Sequence, residues 1–283
     1  MKTTKKIIAL SLAGVLSLFS LPTIRAGATE NVDPGAIAGE ASLKATHIKN
    51  FEDFKAFAEN CRRDEWSRGQ EFVLDNDITF DSDKMVMVAS FAGTFDGNGH
   101  TISNVKIEGV ASNTGLFGIV YASGVVKNLT VKGTYEPTGV MSRLGGIAGA
   151  NHGLIQNCTF DGSINADSMM GGICGYNWSD GRIINCTSKG TISGANKIGG
   201  IAGVTDGIMS GCVNSAEVNT TYDEKRLSNN MLSNIIESYT MSGDFNMLNV
   251  LRDRIDVGGI AGVSAGRIEN STNEGNVGYR QVG

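Results

Sequence analysis

Apolar and polar residues alternate by three different rules along this chain. From Ile7 to Leu21 the positions are almost all apolar, behind Lys2, Lys5 and Lys6 and ahead of Ala26-Gly27-Ala28. A basic start, a short apolar run and a small-residue exit predict a secretory signal peptide over residues 1–28, cleaved near Ala28. The run falls short of the ~20 residues that span a bilayer, and no Cys stands at the exit to carry a lipid anchor. From 48 to 64 the period becomes helical. Ile48, Phe51, Phe54, Phe57 and Ala58 share one face, with Asn50 placed to cap the N-terminus. Residues 29–70 therefore read as a linker followed by a helix that caps what comes next. Beyond Gln70 the apolar stretches shorten to three to five residues, separated by Gly, Asn, Asp and Ser, which is a strand-and-turn pattern.

That third region repeats. GGIAGANHGLIQNCTFDGSI from Gly145 aligns with GGICGYNWSDGRIINCTSKGTI from Gly171, GGIAGVTDGIMSGCVNSAEV from Gly199 and GGIAGVSAGRIENSTNEGNV from Gly258. A degenerate copy, TGLFGIVYASGVVKNLTVKGTY, begins at Thr114. Successive starts lie 26, 28 and 59 residues apart, the last gap being one period plus an insertion. One such unit cannot bury its own apolar face, so neighbours must stack, about 4.8 Å apart. The fold class this predicts is all-β: a right-handed parallel β-helix solenoid over residues 71–283. Stacking should line up Ile147, Ile173, Ile201 and Ile260; Ala148, Cys174, Ala202 and Ala261; Cys158, Cys186, Cys212 and Ser271; and Asn128, Asn157, Asn185 and Asn270, with Gly211 interrupting the asparagines. The insertion, 219–256, returns to helical spacing at Leu227, Met231, Leu232, Ile235 and Tyr239, then at Phe245, Leu248 and Leu251–Ile255, and reads as a helical hairpin.

The pattern GGIAG-x-x-x-G-x-I-x-N-C resembles the GLUG-motif repeats of bacterial secreted and surface proteins. Gly93-Thr94-Phe95-Asp96-Gly97-Asn98-Gly99-His100-Thr101-Ile102 resembles the element that precedes such arrays. Together these cover roughly residues 71–283. The resemblance implies an adhesin-like module and brings no catalytic residues. Val282-Gly283 repeats Val257-Gly258, so the sequence stops as another copy begins, which predicts a longer array continuing past it.

Composition narrows the function. Glycine supplies 38 of 283 residues against 3 prolines, roughly double its usual ~7% share, as many tight turns require. The leader holds four of the 24 Lys and Arg and none of the 29 acids, so the remainder has 20 against 29, a net charge of −9. That argues against nucleic acid and against anionic membrane surfaces as partners.

Candidate chemistry mostly dissolves into repeat columns. Gly262-Val263-Ser264-Ala265-Gly266 spells a nucleophile elbow, but Asn151 and Thr205 hold the equivalent of Ser264, and no His follows it. The five cysteines are an odd number, and stacked Cys158, Cys186 and Cys212 would point their Cβ atoms the same way, which favours buried thiols over disulfides. No CxxC or HxxxH spacing suggests zinc, and no cofactor is expected. Asp75, Asp77, Asp81, Asp83 and Asp96 could bind calcium in a polysaccharide lyase-like enzyme, the second reading of function; tight-turn chemistry is the simpler account of them, since no basic residue recurs in a column beside these acids. The sequons at Asn128, Asn157, Asn177, Asn185, Asn219 and Asn270 arise largely from the repeat. Tyr121, Tyr135, Tyr176 and Trp178 could stack on sugars. Tyr176 and Trp178 stand in a lengthened turn where other copies carry Ala150 and His152, or Val204 and Asp206. The leading expectation is a non-catalytic secreted or cell-surface module that binds an extracellular glycan or protein through Tyr176 and Trp178.

Overall fold

The computed structural model describes residues 45–63, 65–81, 85–108, 112–137, 142–219 and 256–278. The expected leader, Asp83 and the helical hairpin expected within 219–256 lie outside these residues. What is described is a parallel β-solenoid with three sheets and a single helix. Sheet A stacks eight short strands: Thr46–Ile48, Glu71–Leu74, Thr94–Asp96, Val125–Lys127, Leu154–Gln156, Arg182–Ile184, Ile208–Ser210 and Arg267–Glu269. Sheet B takes the longer strands, including Thr101–Ile107, Thr130–Tyr135, Thr159–Gly171 and Thr187–Gly199. Sheet C stacks Val88–Phe91, Phe117–Val120, Ala148–Asn151, Cys174–Asn177, Ala202–Thr205 and Ala261–Ser264. The chain visits A, B and C in that order, and among the described residues it completes six such turns.

The register is the one the repeat dictates. Ala148 pairs with Cys174, Cys174 with Ala202, and Ala202 with Ala261. The Ile147 amide donates to the Ile173 carbonyl, Ile173 to Ile201 and Ile201 to Ile260, at 2.9–3.0 Å. Ile147, Ile173 and Ile201 are fully buried, so this ladder forms one wall of the core.

Core chemistry changes along the axis. The first turns are filled with phenylalanine: Phe72, Phe91, Phe95 and Phe117 are all 0% exposed, with neighbouring ring centroids 5.3–6.5 Å apart. Later turns use Ile155, Ile164, Ile183, Ile192, Met209 and the cysteines. Helix α1 (Phe51–Asn60) belongs to the aromatic end. Asn50 caps it by accepting from the Asp53 amide at 3.0 Å. Its buried Phe57 lies 4.6 Å from Phe72 and 5.5 Å from Phe95, ring to ring.

One sequence expectation needs correcting. Ile48 is not on the helix; it ends the strand Thr46–Ile48, which pairs with Phe72–Leu74 ahead of the expected start of the solenoid. Ile48 sits three residues before Phe51, so strand and helix both place it against the same core, and spacing alone cannot separate them.

Length variation among turns follows position. Corners from sheet A to sheet B are short throughout. Corners from sheet C to sheet A have two residues between strands at Ala92-Gly93 and four at Tyr121–Gly124 and Trp178–Gly181. The insertion after Asn219 interrupts sheet B, between Glu217–Val218 and Val257–Gly258, both of which pair with Thr187–Gly199.

Candidate functional site

Trp178 begins one of the two lengthened C-to-A corners. Its amide donates to the Asn151 carbonyl one turn back at 2.9 Å, and its carbonyl accepts from Gly181 at 2.8 Å. The same inter-turn bond links His152 to Val120, Tyr121 to Phe91 and Asp206 to Asn177. Tyr121, His152, Trp178 and Asp206 therefore form one column running along the axis. Tyr176 projects from the outer side of sheet C, in register with Ala150 and Val204.

These side chains converge. The Trp178 and Tyr176 rings stack with centroids 4.4 Å apart, and His152 stacks on Trp178 at 5.1 Å and 11°. The Tyr176 hydroxyl donates to Asp206 Oδ2 at 2.6 Å. That bond to a carboxylate, together with partial burial, raises the phenol above its ordinary pKa. His152 Nδ1 pairs with Asp180 Oδ1 at 2.9 Å. Arg143, from the sheet B strand Ser142–Gly145 of the turn before, sets its guanidinium carbon 5.8 Å from the Tyr176 centroid and 5.7 Å from that of Trp178. Cation–π attraction holds it there.

Two backbone features place Arg143. It lies at φ +67°, a conformation that ordinary side chains adopt at a cost. Met169 and Lys197, its equivalents in the next two turns, do the same at +55° and +54°. Gly175 makes room for this strand: a Cβ there would fall 2.5 Å from the Arg143 Cα. The third glycine of GGICG thus seats the end of the preceding sheet B strand against sheet C.

The break in the repeat singles out Tyr176 and Trp178, and their rings stack in the structure. It places His152 and Asp206 in the same columns without joining them to the pair, and Arg143 comes from outside the aligned segment. Tyr121 stands in the column two turns from Trp178 and is 42% exposed. Tyr135 is fully buried and donates to the Gly146 carbonyl at 2.9 Å, so it is a core residue.

The family model described as the GLUG motif matches residues 142–165 and 166–193. The chain carries GLUG motifs. Both are turns of the solenoid, and the second contains Tyr176 and Trp178. Over 144 residues, half of this chain, the sequence is 31% identical to halomucin of Haloquadratum walsbyi. That stretch amounts to 1% of halomucin's length. A crystal structure described as a candidate immunoglobulin A1 protease from Bacteroides ovatus aligns with a TM-score of 0.43 and 20% identity, over 62% of this chain and 68% of that one. No helix among the described residues is long and apolar enough to cross a membrane.

The GLUG columns account for the other candidates. Ser264 pairs in register with Thr205, which pairs with Asn177, itself paired with Asn151. Cys158, Cys186 and Cys212 are free, buried and stacked. Each Sγ lies within hydrogen-bonding reach of two acceptors for its one S–H, the carbonyl two residues earlier and a carbonyl of the preceding turn, at 3.3–3.6 Å. Burial raises the Cys186 and Cys212 thiols and pushes Cys61 up to about 12, so these sulfurs stay protonated. Two of the sequon asparagines, Asn177 and Asn219, are buried.

The expected acid cluster is spread among separate partners. Asp75 pairs with His47 at 2.6 Å, Asp77 with His100 at 3.1 Å and Asp96 with Lys127 at 3.2 Å. Among the described residues no group of three His, Cys, Asp or Glu is disposed to hold a metal. Burial works against ionised Asp96, but hydrogen bonds from Asn128 and the Asn98 amide, and the Lys127 charge, outweigh it and depress the carboxyl pKa. A depressed pKa adds stability above the unfolded value near ~3.9, and that stability is lost as pH falls through the folded value. Asp96→Asn is therefore expected to cost under about 1 kcal/mol at neutral pH. It should also flatten the loss of stability below about pH 4. Urea midpoints recorded from pH 2 to 7 for both proteins check this.

Proposed function

We propose that this chain is a non-catalytic β-solenoid module, secreted or displayed at a cell surface, that binds an extracellular glycan or protein through the aromatic ledge at Tyr176 and Trp178. The observation that carries the reading is the break in the repeat. A corner lengthened by two residues places a stacked Trp–Tyr pair, half-exposed, on a surface where neighbouring turns carry smaller groups. Large, rigid, amphipathic rings give contact area at low entropic cost. GLUG motifs and the likeness to halomucin support a surface role, and the leader over 1–28 would export the chain. The solenoid is right-handed on this reading, as parallel crossovers almost always are. Helix α1 caps the aromatic end of its core; the Phe57 contacts with Phe72 and Phe95 support that role.

The lyase-like alternative draws nothing from Asp75, Asp77 and Asp96, whose carboxylates face histidine and lysine partners. The test is a glycan array and an extracellular-matrix protein panel, probed with wild type and Trp178→Ala. Specific hits weakened about tenfold or more in the variant are expected, the loss typical of an interface hot spot. Retention of every hit by Trp178→Ala, or an absence of hits for wild type, sinks the reading.

A further inference from the structure

We propose that the ledge selects an acidic saccharide, with Arg143 receiving its carboxylate. This rests on the binding reading of Tyr176 and Trp178 and names the ligand class. The fold demands positive φ at the Arg143 position, since Met169 and Lys197 adopt it in the following turns. Glycine or asparagine would meet that demand at lower cost. The backbone therefore does not call for arginine; the guanidinium does something else.

Its surroundings say what. Nη1 donates to the neutral Asn113 side chain at 3.3 Å, while Nε is shielded from water with no hydrogen-bond partner. No ion pair engages Arg143 among the described residues, although two carboxylates lie in the same cluster. Asp206 is bonded to the Tyr176 hydroxyl and Asp180 to His152. The cluster thus holds a guanidinium fixed by π contacts and lacking a counter-ion among the described residues, in a chain that is otherwise acidic. A planar fork of N–H donors matches a carboxylate in two parallel hydrogen bonds. Tyr121, His152 and Trp178 stand one per turn along the axis, with His152 stacked on Trp178, so the column is a strip of aromatic edges beside Arg143 and the complementary ligand is linear. A chain of uronic acid residues fits it: pyranose C–H groups along the strip and a carboxylate for Arg143.

The experiment compares oligogalacturonate with the same oligosaccharide after its carboxyls are reduced to alcohols, titrated calorimetrically against wild type, Arg143→Gly, Arg143→Gln and Trp178→Ala. Wild type is expected to bind the acidic form about tenfold or more tightly than the reduced form, the worth of a charge-assisted hydrogen bond. Arg143→Gly should erase that preference while Tm stays level or rises, because glycine takes positive φ freely. Arg143→Gln should erase it too. Equal binding of both forms, lost in Trp178→Ala but not in the Arg143 variants, overturns the acidic class and leaves the ledge standing. Binding of poly-glutamate in place of either saccharide overturns the saccharide. Failure to bind any of them overturns this proposal, and the panel above decides separately whether the ledge binds anything.

Discussion

Gly171→Ala is expected to destabilise the solenoid by about 3 kcal/mol or more, at the upper end of overpacking costs. A Cβ at this position would lie 2.4 Å from the Cys174 carbonyl oxygen, 2.5 Å from the Ala202 Cα and 2.5 Å from the Ile201 carbonyl oxygen. All three are backbone atoms, one from its own turn and two from the next. They cannot swing aside as a side chain would. The spacing between these turns is set by bonds from the Ile173 and Cys174 amides, both donating to the Ile201 carbonyl at 3.0 Å. Making room means lengthening bonds that hold two turns together, and in a stacked array each interface counts toward the whole. Gly99→Ala is the control: its φ of +81° imposes strain, but nothing lies within 4 Å of the new Cβ. That change should cost about 1 kcal/mol. Urea unfolding of the two variants separates the cases, and equal costs would show that the close approach at Gly171 is not what the glycine is for.

Much of the fold could be read because such constraints are local in sequence. A glycine at this close approach recurs in the four full copies, and so does the isoleucine two residues later; the degenerate copy carries Leu116 in place of the isoleucine. The asparagine column is a subtler case. Asn128, Asn157, Asn185 and Asn270 were expected to stack in one column. Asn157 does donate to Asn128 at 3.1 Å, and Asn128 to Asp96 at 3.0 Å. Yet all four share a φ near +50°, and Gly211, which seemed to interrupt the ladder, has φ +65°. The column is conserved in conformation, so glycine continues it. The ledge was half legible. A repeat alignment exposes Trp178 as an anomaly, but Arg143 reaches it from the preceding turn through a backbone conformation that sequence does not announce. The polar columns inside the solenoid were not legible at all. Asn151 and Asn177 look like ordinary turn residues, and the partners that make them structural lie a full turn away.

The second large effect follows from those partners. Asn177→Val is expected to cost about 3 kcal/mol, because a buried network is broken and its remaining members are left with unmet hydrogen bonds. Asn151, Asn177 and Thr205 are each 0% exposed. Asn151 Nδ2 donates to Asn177 Oδ1 at 2.8 Å, and Asn177 Nδ2 donates to Thr205 Oγ1 at 3.0 Å. Asn177 Nδ2 also faces the Gly181 carbonyl at 3.4 Å, inside the corner that carries Trp178. Valine fills the volume and supplies none of these bonds. Asn177→Asp is the more discriminating change. Its protonated form can accept from Asn151 and donate to Thr205, so it keeps the ladder. Its ionised form buries a charge without a cation, which raises its pKa above the ordinary carboxylate range. Stability contributed by a raised carboxyl is present at low pH and lost as pH rises through the folded value. Asn177→Asp should thus sit close to wild type near pH 4 and approach or exceed the Asn177→Val penalty at pH 8. Denaturation midpoints at the two pH values measure this directly, and a penalty independent of pH would mean that the ladder is wet rather than sealed. Because the same network fixes the corner leading into Trp178, loss of the ladder should loosen the ledge, and ligand affinity should fall with stability across this pair of variants.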